Sequence, residues 1–109
     1  MIHFLLSKNP LDIIPKNTKF TREQVAQAIR YAIIAELDAI NLYLQLAEKI
    51  EDENIRKVFI DIAREEKTHL GEFLTLLKAL DPEQVKELRA GREEVVELTG
   101  MEIPNNNYD

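Results

Sequence analysis

Two long apolar stripes, each broken by polar residues at one level, constrain this chain more than any other feature. In the first helical run Ile29, Ile33, Glu36, Ile40, Tyr43, Ala47 and Ile50 recur at alternating steps of four and three, the period of one helix face. In the second, Ile55, Phe59, Ile62, Glu66, His69, Phe73, Leu76 and Leu80 do the same. Glu36 is the charged member of the first stripe, and Glu66 and His69 are the polar members of the second. Residues i and i+3 share a helix face, so Glu66 and His69 stand together. The midpoint of 36 and 66 is 51 and that of 36 and 69 is 52.5, both inside the polar segment Glu51-Asp52-Glu53-Asn54. In an antiparallel hairpin the three side chains therefore share one height, ~22 Å from the turn at about 1.5 Å per residue.

The punctuation supports this hairpin. Thr21 with Gln24 three residues on has the form of a capping box, so the first helix is expected from Thr21 to about Ile50. Asp52 is a reasonable N-cap for a second helix from about Glu53 to Leu80. Asp81-Pro82-Glu83-Gln84 reads as a restart, with Asp as cap and Pro in the first turn. A third, shorter helix follows to about Leu98, ended by Gly100. Its apolar set (Val85, Leu88, Val95, Val96, Leu98) is expected to cover an edge of the hairpin. Residues 1–20, with Pro10 and Pro15 and no sustained period, read as an extended N-terminal arm. Residues 21–100 form one helical domain, and 101–109 a polar tail. The chain has 109 residues, three Gly and four Pro, too short for two domains and too little punctuated for an all-β fold. The fold class is all-α.

A Glu together with a Glu-x-x-His, all facing inward, is half of a carboxylate site for two metal ions in a helical bundle. A lone hairpin also leaves much of its apolar face wet. A two-fold dimer remedies both shortfalls, building a four-helix bundle with Glu36, Glu66 and His69 contributed by each chain around the axis. With no cysteine in the sequence, thiolate metal sites, disulfides and cysteine catalysis are excluded. Carboxylate and imidazole ligands suit iron or manganese. A net charge of −6 disfavours nucleic acid and anionic membranes as partners. Nothing approaches a spanning helix, and Met1–Leu6 is too short an apolar run for a signal segment, so a cytoplasmic protein is expected.

Plainer readings compete with a metal site. Glu36 can be one side of a buried ion pair, and Glu66 with His69 a core hydrogen bond. Arg64 and Lys67 flank the site but point off the stripe. Tyr43, two turns from Glu36, is either a core aromatic or a group that orients a ligand or supplies an electron. Asp38, Asp61, Glu65 and Glu72 lie off the stripes and are expected to be solvated, Asp38 with a secondary role in lining an ion-access path. His3, in the arm, is incidental.

The segments Ala32-Ile33-Ile34-Ala35-Glu36-Leu37-Asp38-Ala39-Ile40-Asn41-Leu42-Tyr43 and Ala63-Arg64-Glu65-Glu66-Lys67-Thr68-His69-Leu70-Gly71-Glu72-Phe73 resemble the two signature helices of the encapsulated ferritins. The resemblance extends over about Thr21 to Gly100. It implies a two-helix ferroxidase of the ferritin-like superfamily, oxidising Fe(II) to Fe(III) with O2 at a di-iron centre shared across a dimer, with two Fe per interface. The resemblance further implies a ring of dimers, typically a decamer, and enclosure in an encapsulin nanocompartment that stores the iron. Carried over by position, Glu36, Glu66 and His69 are the iron ligands and catalytic residues, and Tyr43 lies behind them. At the positions matching Ala35 and Asp38 many members carry two acids, forming an access or secondary metal site; here Asp38 alone is acidic. The tail lacks a Gly/Leu-rich shell-docking peptide, and some archaeal members are instead fused ahead of the shell protein, so the partner is expected in cis or in trans. Two rivals stand beside this reading. One is a rubrerythrin-like peroxide reductase, which without cysteines needs an external electron donor; the other is a non-catalytic helical interaction module.

Overall fold

The computed structural model describes residues 18–104. Residues 1–17 of the expected arm, His3 among them, and 105–109 of the expected tail lie outside the described residues. The described chain is three helices, α1 (Arg22–Lys49), α2 (Glu53–Leu80) and α3 (Pro82–Thr99), with no strand among the described residues.

Each boundary has a local cause. The Thr21 hydroxyl accepts from Gln24 N at 3.2 Å, while the Gln24 side chain accepts from Thr21 N at 2.9 Å, a reciprocal box satisfying two otherwise orphaned N–H groups. Asp52 Oδ1 accepts from Asn54 N and Ile55 N at 2.9 and 3.2 Å. Asp81 Oδ1 accepts from Gln84 N at 3.2 Å, with Pro82 opening α3. Gly100 closes α3 in the left-handed region at φ 72°, where a residue without Cβ carries no steric penalty.

The turn between α1 and α2 is tied by Arg56. Its guanidinium donates to Ile50 O from Nη2 at 2.6 Å and from Nε at 3.0 Å, to Ala47 O at 3.2 Å, and to Glu53 Oε1 at 2.8 Å. The first turn of α2 thereby satisfies carbonyls that the end of α1 leaves open. The seam between α1 and α2 is thin. Ala26, Ile40, Ala47, Ala63 and Leu77 are the buried apolar residues, and no large side chain among the described residues is fully enclosed. Members of the expected stripes stay open, Ile55 at 49% and Leu76 at 52% exposure.

Two expectations are corrected. The apolar set of α3 does not cover the hairpin: Val85 is half-buried, but Leu88, Val95, Val96 and Leu98 are exposed. After a one-residue link α3 leaves α2, and no Cα of α1 comes within 8 Å of one in α3. Asp38, expected to be solvated, is buried at 6% exposure. It sits two residues on from Glu36, about 200° around the helix. Half-buried Tyr31, Ile34 and Leu42 share that side, so α1 buries more than the single stripe its period announces.

Candidate metal centre

Midway along the hairpin, the residues breaking the two stripes meet. One ligand atom each from Glu36, Glu66 and His69 lies within 4.8 Å of the others. His69 Nδ1 is 3.3 Å from Glu66 Oε2 and 3.8 Å from Glu36 Oε2. The imidazole thus turns one nitrogen toward both carboxylates, and at the shorter distance is within hydrogen-bond reach of Glu66, donating in the tautomer that carries the proton on Nδ1. Two atoms bound to one ion at roughly 2.0–2.2 Å stand no more than about 4.4 Å apart, so the cluster lies within a small side-chain adjustment of a coordination shell. Asp38 points from the opposite side of α1 and is not part of this group.

The two carboxylates are shielded and the imidazole is not. The Glu36 and Glu66 side chains are 18% and 19% exposed, against 47% for His69. Three residues along a helix turn the side chain by 300°, which carries His69 some 60° off the Glu66 direction and out of the seam. The cluster therefore opens to one side of the hairpin.

Glu36 Oε2 is buried and lacks a hydrogen-bond partner among the described residues. No Lys or Arg among them pairs with Glu36; Arg64 is spent on Asp61 at 2.9 Å on the exposed surface. The reading of Glu36 as paired with a Lys or Arg thus finds no such partner there, and His69 Nδ1 at 3.8 Å is the cationic group nearest to it when protonated. The hydrogen-bond reading of Glu66 with His69, by contrast, describes a contact that is present. An unpaired carboxylate oxygen out of water is costly unless a cation neutralises it. Two hard carboxylates and one imidazole are a donor set for divalent iron or manganese, so the residues fit such an ion.

Tyr43 packs edge-on against Phe59, ring centroids 6.2 Å apart and planes at 79°, a favourable aromatic arrangement. Its hydroxyl makes no hydrogen bond to Glu36, Glu66 or His69 among the described residues. Asp61, Glu65 and Glu72 are exposed, as expected. No sequence pattern marks Arg22, Arg30 and Arg56, whose long side chains reach off the stripe to backbone carbonyls and to Glu53, Asp81 and Gln84. Arginine on an amphipathic helix looks the same whether it is solvated or engaged.

Comparison with known proteins bears on the family and the fold. The rubrerythrin family profile matches residues 27–107. The ferritin-like-encapsulin shell fusion protein of Pyrococcus furiosus is 56% identical over 103 residues, which are 94% of this chain and 30% of that protein. The encapsulin nanocompartment cargo protein EncC of Myxococcus xanthus is 38% identical over 77 residues, 70% of this chain and 58% of that protein. The chain thus spans less than two thirds of either relative. The crystal structure of the encapsulated ferritin domain from Pyrococcus furiosus superposes with a TM-score of 0.80 at 58% identity, covering 90% of this chain and 99% of that one.

Proposed function

The chain belongs to the rubrerythrin family and, among ferritin-like proteins, to the encapsulated ferritins, and from that premise we propose that it is a ferroxidase, oxidising Fe(II) to Fe(III) with O2. The observation that carries the reading is the convergence of Glu36, Glu66 and His69 within 4.8 Å, with the buried Glu36 Oε2 lacking a hydrogen-bond partner among the described residues. Iron held there supplies the electrons that reduce O2. Glu36 and Glu66 neutralise the divalent charge, His69 offers Nδ1 as its lone nitrogen ligand, and the apolar seam below excludes water from that side.

One chain holds half of a two-ion site. We therefore place the complete centre on a two-fold axis, with the same three residues from a second copy closing the open side at His69 and completing a four-helix bundle. Such dimers are the unit of a higher ring, a decamer in our reading. The Pyrococcus relative, a shell fusion protein, and the Myxococcus relative, a nanocompartment cargo protein, support an encapsulin shell as the partner, fused or separate. The oxidised iron is then stored in that nanocompartment, in the cytoplasm. Tyr43 backs the site, and Asp38, buried on the other side of α1, lines an iron path only where that face meets another subunit.

The rubrerythrin match favours one alternative, peroxide rather than O2 as oxidant. Anaerobic Fe(II) titration followed by air or H2O2 decides between them. Saturation at one iron per chain and fast ferric absorbance with O2, both lost in Glu66→Ala/His69→Ala, is the expected result. Fast oxidation with H2O2 alone would identify a peroxide reductase. Iron uptake equal to that of the double variant would leave a non-catalytic helical module.

A further inference from the structure

The junction of α2 and α3 is one residue long, and its side chain does two jobs. Asp81, at φ −129° and ψ 89°, uses Oδ1 to cap α3 through Gln84 N. Its Oδ2 takes a 2.5 Å charge-assisted bond from Arg30 Nη2. Arg30 also reaches Gln84 Oε1, from Nη2 at 3.2 Å and Nε at 3.3 Å. Nearby, Arg22 Nε donates to Leu80 O at 3.3 Å. The Arg30 bonds cross from α1 to the link and the first turn of α3, and the Arg22 bond to the end of α2, although α1 and α3 have no close backbone approach. No residue of α3 is buried, so a packed core does not set its direction.

We infer that Arg30 is a latch fixing the direction in which α3 leaves the hairpin, with Asp81 as both hinge and catch. A planar guanidinium can hold a carboxylate and an amide oxygen together, which a lysine ammonium cannot do in the same geometry. The latch sets where the exposed row Leu88, Val95, Val96 and Leu98 lies relative to the face on which His69 opens. It stands independently of any metal chemistry.

The chain has no native cysteine, so spin labels at Asn41→Cys and Glu93→Cys, both exposed positions, report the angle between α1 and α3. Labelled chains are diluted with unlabelled ones and distances are read by pulsed EPR. The pair is 41% and 26% exposed, and losing such a bond shifts an equilibrium by at most about fivefold. Arg30→Met is expected to broaden the distance distribution while helicity and iron uptake stay at the parent level. Arg30→Lys, which keeps the stem and the charge, is expected to give an intermediate width. Asp81→Asn keeps a good cap but loses the charge, and is expected to broaden the distribution without adding to Arg30→Met in the double variant. A distribution as narrow as the parent's in both Arg30→Met and Arg30→Lys, or additive effects in the double variant, would overturn the latch.

Discussion

The hairpin and α3 are equally well begun, yet differently placed. Asp52 caps α2 and Asp81 caps α3 with the same kind of side-chain bond, and α3 adds a proline start and a glycine stop. The hairpin nevertheless buries a seam from Ala26 to Leu77, while α3 has no fully buried residue and leaves Leu98 87% exposed. Capping defines where a helix exists. Its position depends on what it meets: among the described residues the hairpin has a packed seam, whereas α3 is held at its start by the polar ties of Arg30. The cluster of Glu36, Glu66 and His69 lies in the part that a packed seam holds.

The sharpest way to test that contrast is to cut into the seam. Leu77 is 3% exposed, so Leu77→Ala is expected to cost about 2–5 kcal/mol, from lost transfer energy and the cavity left behind. Denaturant unfolding of the metal-free protein measures it. A cost below ~1 kcal/mol would mean that the seam relaxes freely and does not hold the hairpin register.

A smaller effect of opposite sign is expected at the cluster. Glu36→Leu removes a buried carboxylate oxygen that lacks a hydrogen-bond partner among the described residues. Relieving an unsatisfied polar group is worth about 1–3 kcal/mol, so the metal-free variant should unfold at higher denaturant while binding less iron. Destabilisation of the metal-free protein would show that Glu36 is satisfied in solution and serves the fold rather than an ion.

The sequence made the hairpin legible because its information is periodic and local. Thr21, Asp52 and Asp81 mark starts through their own side chains, and the break residues Glu36, Glu66 and His69 are conspicuous only because their stripes are otherwise apolar. Three things escaped. The burial of Asp38 lies on a side of α1 where no clean period marks it. The half-open setting of His69 follows from a 60° helical offset that a stripe drawn at steps of three and four smooths over. The arginine ties at Arg30 and Arg56 connect residues 51 and 6 positions apart, and no short pattern relates such partners.

The least expected effect separates the two regions most cleanly. Leu98→Ser, at a side chain 87% exposed, removes apolar surface that contacts little within the chain. Its cost to unfolding of an isolated chain is expected within about 0.5 kcal/mol, against several for Leu77→Ala. If α3 acquires its place by meeting another copy, the same variant shifts the oligomer distribution in native mass spectrometry while the hairpin's stability stays put. A loss of stability comparable to Leu77→Ala would instead mean that α3 is part of the chain's own core, and the contrast between the two regions would fall.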